Sequence, residues 1–386
     1  MARLEEICSL ITDGSHFSPE DEGVGYPMFS VKDMTPNGFN ISGCKKIGEE
    51  AYKKLVANGC KPLNDDVVVA KDGSYLKTAF VIKGNPEIAL LSSIAILRPQ
   101  IDLVVPEYLS YFLKSDAVYR TVSLNYITGT ALKRIILKGI RKIEIDLPDI
   151  GEQEQRAQRL SKVDYLCQLC KQQLAKLDEL VKARFVEMFG DPSNNPMGWK
   201  KQNFEDIALL ITDGEHMTPQ RTNKGIYLLS ARNILNHTIQ LDDVDYIDEE
   251  EYGRIARRIV PQQGDVLVSC SGSIGRCCVV PSELKFQMVR SVALIRFNNT
   301  INPIFAEWLI ATDELQKQIY TSATQSSQAN LFQGKIRKLC GYVPPLSLQN
   351  QFAAFVERVD KQKQTVQQSL EKLELMKKAL MQEYFG

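Results

Sequence analysis

The sequence carries an Asp-Gly-x-His pattern twice, and the two copies hold two of the chain's three histidines. The first is Asp13-Gly14-Ser15-His16 and the second is Asp213-Gly214-Glu215-His216. A histidine beside a carboxylate can serve as a general base, but that chemistry also needs a partner group and a substrate pocket, and the sequence indicates neither. Two other interpretations stay open. Asp-Gly favours a turn that the aspartate side chain fixes and the histidine caps, or His16 and His216 contact nucleic acid.

The cysteines predict packing, not metal or redox chemistry. Cys167 and Cys170 form a Cys-x-x-Cys pair, but a zinc or redox site would need a second ligand pair or a strand-to-helix setting. Both cysteines instead fall on apolar positions of a helical repeat, so we expect them in a helix core. Cys270, Cys277 and Cys278 have no histidine or cysteine partner at ligand spacing. We therefore predict no metal site.

Motifs of enzymes that act on DNA are incomplete or missing in this sequence. The string Asn195-Pro196-Met197-Gly198 lacks the second proline and the aromatic residue of an amino-methyltransferase motif. No Gly-x-x-x-x-Gly-Lys-Ser/Thr phosphate loop occurs, and Pro148-Asp149 has no acid-x-Lys shortly after it to complete a nuclease site. We therefore expect a chain without catalytic residues and without a cofactor of its own.

Two acid-free stretches are candidates for contact with nucleic acid. No acid occurs from Tyr119 to Ile143 or between Glu314 and Glu357, and both stretches mix basic, hydroxyl and amide side chains. Basic side chains contact phosphates, and Asn and Gln pair well with adenine. A solvated polar loop is the alternative. The candidate residues are Thr128, Thr130, Lys133, Arg134, Ser326, Gln328 and Asn330.

A glycine-containing loop after a predicted strand forms a second candidate surface in each half of the chain. Its candidate residues are Lys71, Ser74, Tyr75 and Lys77 in the first half, and Ser271, Ser273 and Arg276 in the second. Lys32 and Arg232 complete the set of candidate DNA contacts. Other basic residues, among them Arg254, Arg257 and Arg258, are expected on solvated helix faces.

These residues recur because the chain repeats itself at an offset of about 200 residues. LEEICSLITDGSHFSP aligns with FEDIALLITDGEHMTP, and the segment Asp66–Ser74 aligns with Asp265–Ser273. The match continues to the basic segments around Arg141 and Arg337. Two long copies indicate a domain duplication and not a stacked array of short repeats.

Each copy divides into a globule and a helix. Short β-branched runs, turns and helical stretches predict an α+β globule, and the proline-free segment after it predicts one long helix. We expect two globular α/β domains alternating with two long helices that pack as an antiparallel coiled coil in a pseudo-twofold repeat. The predicted limits are 1–150 and 204–347 for the globules, 151–190 and 348–386 for the helices, and 191–203 for a linker.

The predicted helices carry an apolar seam with heptad spacing, as a helix that packs along another helix requires. Lys363, Lys377 and Arg184 interrupt the seam, but long aliphatic stems can lie along it. At about 1.5 Å per residue, each helix would be roughly 57 Å long. The seam residues are Leu160, Val163, Cys167, Cys170, Leu174, Leu177, Val356, Val359, Val366, Leu370 and Leu373.

Composition limits where the protein works and what it binds. The 47 basic and 47 acidic residues balance, so contact with nucleic acid depends on local positive charge. No run of the sequence predicts a membrane span or a secretory signal. Nine cysteines without framework spacing fit a reducing compartment. We expect a cytoplasmic protein.

Three features together resemble a known family. They are the junction FVEMFGDPSNNPMGWKKQNFEDI (185–207), the Ile-Thr-Asp-Gly-x-His openings, and a Leu-Pro…Glu-Gln-x-Gln step into a long helix. The chain resembles the specificity subunits of type I restriction-modification systems over nearly its whole length. One departure is that the first copy starts at Leu4 without a Gly-Trp lead-in.

The resemblance implies a division of labour. Two target-recognition domains would each read half of a split site in double-stranded DNA. The helices would set the spacer and dock two methyltransferase subunits, which carry S-adenosylmethionine, and a motor-nuclease subunit would join for cleavage. Because the copies differ in their loops, we expect two different half-sites. A protein-interaction scaffold without specific DNA reading is the competing function, and a stand-alone enzyme is a third.

Overall fold

The computed structural model describes residues 1–73, 75–128, 133–323 and 330–386. The chain forms two compact units: unit 1 is Met1–Lys171 with Gln367–Gly386, and unit 2 is Gln172–Val366. The first long helix is Ile150–Phe189 and the second is Leu346–Phe385, so each unit holds one globule and a part of both helices. The domain limits predicted above stay a prediction. The segment predicted as a linker ends in a short strand, Lys201–Asn203.

The globule of unit 1 contains a four-stranded antiparallel sheet and a three-stranded sheet. In spatial order the strands are Cys8–Asp13, Ile94–Pro99, Val67–Ala70 and Ala79–Val81, then Lys45–Ile47, Tyr26–Phe29 and Ala89–Leu90. Short paired strands are Ala2–Arg3 with Glu144–Ile145, Met34–Thr35 with Gly38–Phe39, and Ile127–Thr128 with Arg134–Ile135. The helices are Leu4–Ile7, Glu49–Ala57, Pro106–Leu113, Asp116–Asn125 and Leu137–Arg141, with a 3-10 turn at Val31–Asp33.

Unit 2 repeats this order of elements. Its sheets are Ala208–Asp213, Val292–Phe297, Val266–Ser269 and Cys277–Val279, then Asp245–Ile247, Ile226–Leu229 and Phe286–Met288. Short pairs are Lys201–Asn203 with Cys340–Tyr342 and Ile234–Leu235 with Thr238–Ile239. The helices are Phe204–Ile207, Glu249–Ala256, Pro303–Ile310, Asp313–Ala323 and Gln333–Arg337, with a 3-10 turn at Ala231–Asn233. The predicted α+β class and the internal repeat are confirmed.

A strand with every side chain buried runs through the middle of each four-stranded sheet. Val67–Ala70 and Val266–Ser269 lie between two neighbouring strands, which explains their continuous apolar composition. The aspartate before each strand is buried too. Asp66 accepts two hydrogen bonds from Arg98, both of 2.8 Å, and Asp265 accepts two from Arg296, both of 2.7 Å. This fork geometry satisfies a buried carboxylate, and both copies use it.

The two long helices pack antiparallel within each unit. In unit 1, Asp164 forms an ion pair with Lys377 at 2.6 Å, and Lys171, further along the first helix, pairs with Glu374 at 2.9 Å. Residues further along the first helix therefore contact residues with lower numbers on the second helix, as in an antiparallel pair. The same holds in unit 2, where Asp178 pairs with Lys363 at 2.5 Å and the Phe189 ring lies 5.5 Å from Phe352. The predicted antiparallel pairing is confirmed, and the two lysines that interrupt the seam pair with acids of the facing helix.

The predicted seam residues are buried or half-buried. The buried ones are Leu160, Val163, Cys167, Val356, Val359 and Leu370, and the half-buried ones are Cys170, Leu174, Leu177, Val366 and Leu373. Both cysteines of the Cys-x-x-Cys pair are free thiols, and burial raises the pKa of Cys167. This pair therefore lies in the seam as apolar packing.

A buried glutamine in the first turn of each long helix fastens the helix to its globule. The Gln153 side chain accepts from the Val105 amide at 2.9 Å and donates to the carbonyls of Leu103 and Pro148 at 3.2 and 2.9 Å. Gln349 repeats all three bonds, accepting from Asn302 and donating to Thr300 and Pro344. Both side chains are almost completely buried. The two joints therefore have one geometry, with every polar end of the amide satisfied.

The end of the first long helix is closed by the residues that follow it. Gly190 has a φ of +79°, the left-handed conformation that favours glycine at a helix end. The Trp199 indole then donates to the carbonyl of Phe189 at 3.0 Å. Trp199 also packs against the core of unit 2. The Gly-Asp-Pro…Gly-Trp junction therefore caps the helix and covers part of that core.

Candidate nucleic-acid interface

The first Asp-Gly-x-His turn is shaped by its glycine. A Cβ on Gly14 would lie 2.2 Å from the backbone oxygen of Leu90, and the Ser15 amide donates to that oxygen at 2.7 Å. Only glycine lets the chain pass so close to the neighbouring strand. The Asp13 carboxylate faces the Lys71 ammonium at 3.1 Å and the His16 ring at 3.5 Å. His16 is 79% exposed, so its ring is presented outward.

The second turn has the same backbone but different partners. A Cβ on Gly214 would lie 2.2 Å from the Met288 oxygen. Asp213 contacts His216 at 3.1 Å, and it also accepts hydrogen bonds from Arg258 at 2.8 Å and from Gln333. Burial alone would raise the pKa of Asp213, but the hydrogen bonds from these three side chains outweigh it and hold the pKa below its usual value.

The two turns support the interpretation of the pattern as a turn fixed by its aspartate, and they leave the DNA contact open. Close packing of the glycine against a strand shapes the backbone, and the aspartate binds side chains, among them the histidine. The predicted DNA contact by His16 and His216 stays a prediction, which their exposure allows. Arg258, expected on a solvated helix face, is exposed but lies just beyond the helix Glu249–Ala256, and its guanidinium pairs with Asp213.

The two candidate surfaces lie side by side in unit 1. The Ile135 amide donates to the Lys71 carbonyl at 2.9 Å, and the Gly73 amide donates to the Lys133 carbonyl at 2.8 Å. The loop after strand Val67–Ala70 is thus joined to the basic segment, and Lys71 connects both to the Asp13 turn. Three segments far apart in sequence form one surface.

Unit 2 joins the same segments. Ser271 pairs with Asn330 as an isolated β-bridge, and the Leu331 amide donates to the Cys270 carbonyl at 2.9 Å. Gln333, just beyond, reaches Asp213 of the turn. We define the recognition surface of each unit as the Asp-Gly-x-His turn, the loop after the central strand, and the polar segment paired with that loop.

The predicted contact residues differ in where they lie. Lys32, Lys77, Lys133, Arg134, Arg232 and Ser273 are exposed, whereas Ser271, Arg276 and Asn330 are half-buried. Arg232 pairs with Asp245 at 3.1 Å. Ser74, Thr130, Ser326 and Gln328 lie outside the described residues, and Thr128 is described by its backbone alone.

Lys71 and Tyr75 are buried and support the first loop from the interior of the globule. Lys71 is 7% exposed and Tyr75 is 4% exposed. The Tyr75 ring stacks on Tyr119 with centroids 5.3 Å apart, and its hydroxyl lies 3.1 Å from that of Ser123. Neither side chain reaches the surface in this arrangement, so we assign both a supporting role. A direct DNA contact by either one stays a prediction without support from the geometry.

The second loop is supported by different chemistry. Ile274 replaces Tyr75, and the Gln316 amide donates to the Gly275 carbonyl at 2.9 Å and to the Ile310 carbonyl at 2.8 Å. Gly275 has a φ of +85°. One scaffold therefore holds two loops of different composition by different internal contacts.

Some exposed basic residues of the acid-free stretches also donate a hydrogen bond to the backbone of their own unit. Arg141 donates to the Ile11 carbonyl at 2.9 Å, and Arg337 donates to the Ile211 carbonyl at 3.1 Å. These guanidinium groups tie the basic segment to the strand that leads into each turn. Sequence reasoning counted them as local positive charge, and it missed Gln153, Gln349 and Gln333 as functional supports. The matched spacing of Gln153 and Gln349 in the two copies was the available signal, whereas Gln333 has no such match because Leu137 stands at its place in the first copy.

The described part of the chain contains neither a candidate metal site nor a candidate membrane span. No group of three or more His, Cys, Asp or Glu side chains within it is arranged to hold a metal ion. No helix within it combines the length and apolar character of a membrane span.

The model of the type I restriction modification DNA specificity domain matches residues 1–179 and again residues 196–375. The chain belongs to this family. The two matches correspond to the two copies of the repeat, and each includes one recognition surface and most of one long helix.

Relatives of this specificity-domain family are similar to the chain in sequence or in fold. A putative type I restriction enzyme MjaX specificity subunit from Methanocaldococcus jannaschii is 22% identical over 212 residues, which are 53% of this chain and 48% of that protein. The chain thus matches about half the length of this curated relative.

Two solved structures share the fold over the whole chain. The type I restriction-modification S subunit from M. genitalium has a TM-score of 0.61 at 14% identity, and 95% of it is covered. A chain from a study of complex assembly and conformational transition of the type I R-M system has a TM-score of 0.57 at 16% identity, and 96% of it is covered.

Proposed function

We propose that this chain is the DNA-recognition subunit of a type I restriction-modification complex, and that each globule reads one half of a bipartite site. One observation carries the proposal: the same three-segment recognition surface is built twice on matched scaffolds, with different side chains in the loops. Shared supports, such as Arg141 and Arg337, keep the geometry constant. Different loop residues then give two different half-sites.

The exposed side chains of the recognition surfaces fit this role. Lys77, Lys133 and Arg134 are exposed and would supply positive charge for phosphates, and His16 is exposed as well, although the whole chain is neutral. Phosphate contacts position a protein on the duplex, and hydrogen-bonding side chains at base edges specify the sequence. In unit 2, Ser273 and Asn330 offer hydroxyl and amide groups for that second task.

The paired helices would set the spacer between the half-sites and dock two methyltransferase subunits. Ion pairs join the two helices to each other within each unit, and a buried glutamine fastens each helix to its own globule. Tyr165 and Leu169, one turn apart on the first helix, are 60% and 40% exposed, and large apolar side chains on an outer helix face suit a protein partner. A motor-nuclease subunit would join the same complex.

In this proposal the chain itself catalyses nothing. The partner methyltransferase would bring S-adenosylmethionine and carry out the transfer to adenine, in the cytoplasm. A protein-interaction scaffold without specific DNA reading is the second candidate, favoured by the exposed apolar residues of the helices. DNA binding separates the two candidates.

The test is DNA retention by the complex co-expressed with its methyltransferase, measured against salt concentration. Each lost phosphate contact lowers the slope of log affinity against log salt by about 1. Lys133→Ala and Arg134→Ala should each produce such a decrease for all DNA sequences, whereas Lys200→Ala, an exposed lysine near the junction, should not. Retention that is independent of sequence and unchanged by these variants would favour the scaffold.

A further inference from the structure

Unit 1 contains an open cavity of about 700 Å³ between the turn that follows the helix Pro106–Leu113 and the second long helix. Four lysines and two acids line its wall: Lys77, Lys114, Lys377, Lys378, Asp116 and Glu374. Lys377 is paired with Asp164 of the first helix at 2.6 Å. Glu374 is paired with Lys171 of the same helix at 2.9 Å. Among the other four residues, three lysines outnumber one aspartate, so the cavity has a net positive charge.

Lys114 is half-buried, whereas the other two of these three lysines are exposed. Its ammonium lies 4.6 Å from the centre of the Tyr111 ring, and it forms no ion pair with any residue that the structure describes. Burial and the nearby Lys377 lower its pKa to about 8, although Asp164 opposes this shift. The amine therefore stays mostly protonated at pH 7. A half-buried ammonium without an ion pair costs stability.

The repeat shows that the fold does not require these ammonium groups. In unit 2, Ala311 stands at the position of Lys114, within the same pair of helices. Val181 stands at the position of Lys377. Both apolar residues pack in the core of unit 2, where Val181 is completely buried. Unit 1 therefore has cations where unit 2 has apolar packing, and charged groups that cost stability are typical of functional sites.

Ammonium groups from three different segments line this cavity, which predicts the class of its ligand. Lys77 comes from the loop after the central strand, Lys114 from the turn between two helices, and Lys378 from the second long helix. Lysine is a compact cation with three N–H donors, and it commonly binds phosphate groups. A volume of about 700 Å³ lies in the range of small-molecule sites. Because Lys114 is half-buried, a small molecule reaches it more readily than the backbone of a rigid duplex does.

We propose that this cavity binds a small molecule that carries a phosphate group, held by Lys77, Lys114 and Lys378. The phosphate would supply the negative charge that Lys114 lacks, while the ammonium keeps its contact with the Tyr111 ring. Asp116 lines the cavity as well, so the phosphate would lie on the side of the lysines. The proposal is independent of the proposed DNA recognition, because it requires neither DNA nor a partner subunit.

Thermal unfolding of the full chain with inorganic pyrophosphate tests the proposal. Pyrophosphate should raise the melting temperature more than sodium chloride does at equal ionic strength, because a ligand that binds only the folded state stabilises it. Lys114→Met should lower the affinity by about 10-fold or more, and Lys378→Ala should lower it by a smaller factor. Lys372→Ala removes an exposed lysine of the same helix that does not line the cavity, and it should leave the affinity unchanged.

Amine labelling with mass spectrometry locates the bound anion without any change to the chain. At about pH 8, where about half of the Lys114 amine is neutral, pyrophosphate should slow the acetylation of Lys114 and Lys378 and leave that of Lys372 unchanged. A DNA duplex at the same concentration of phosphate groups should not protect Lys114. A stabilisation no larger than that by sodium chloride, equal protection of Lys372, or protection of Lys114 by the duplex alone would overturn the proposal.

Discussion

The buried glutamine joints allow the sharpest prediction, because each joint has a counterpart and a neighbouring control. Replacing Gln153 by methionine keeps the volume of the side chain but leaves the Val105 amide and two carbonyls without this partner. Each buried polar group left unsatisfied costs roughly 1–3 kcal/mol, and part of this is recovered by local relaxation. We therefore expect a loss of about 2–4 kcal/mol in unit 1, or roughly 4–16 °C in its transition.

Hydrogen exchange with mass spectrometry measures the rate of amide exchange in each unit separately. Gln153→Met should accelerate exchange in unit 1 and leave unit 2 unchanged, whereas Gln349→Met should do the reverse. Gln155→Met and Gln351→Met, two residues further along each helix and exposed, should have almost no effect. If the buried and exposed variants behaved alike, or if either buried variant loosened both units equally, the joints would not fasten each helix to its own globule.

Three further predictions concern single side chains. Burial and a neighbouring ammonium lower the pKa of Lys114 to about 8, so the folded chain disfavours the charged form. Lys114→Met should therefore raise the melting temperature at pH 7. This gain should shrink between pH 8 and about 10, because the lysine of the folded chain becomes neutral there. Gly14→Ala should cost at least about 2 kcal/mol in thermal or urea unfolding, because its Cβ meets backbone, whereas Gly253→Ala, which meets nothing within 4 Å in a helix, should be neutral or stabilising. Tyr119→Leu should relax selection of one half-site and Gln316→Leu the other in a methylation assay; a change in both half-sites from either variant would contradict separate loop supports.

The sequence was sufficient for the features that local periodicity encodes. Heptad spacing predicted the paired helices and placed Cys167 in their seam, and β-branched runs predicted the buried strands. The repeat predicted two globules of one fold. These features depend on neighbours in sequence or on comparison of the chain with itself, so they can be read without coordinates.

The make-up of the recognition surface was not predictable in the same way. Nothing local shows that Lys71 pairs with Asp13, or that Arg258, just beyond the helix Glu249–Ala256, reaches Asp213. Arg141 belongs to an acid-free stretch, and its hydrogen bond to the Ile11 carbonyl is visible only in the structure. The sequence around a tyrosine in a glycine-containing loop, such as Tyr75, does not show whether its ring points outward or into the core. Tertiary contacts decide each of these cases.

In the proposed function, the two globules read two different half-sites at a fixed separation. This proposal is tested most directly by mapping methylated adenines in a genome that carries this chain together with its methyltransferase. We expect one split motif with two unlike halves and a constant spacer. A palindromic motif, a continuous motif, or methylation without sequence preference would contradict it.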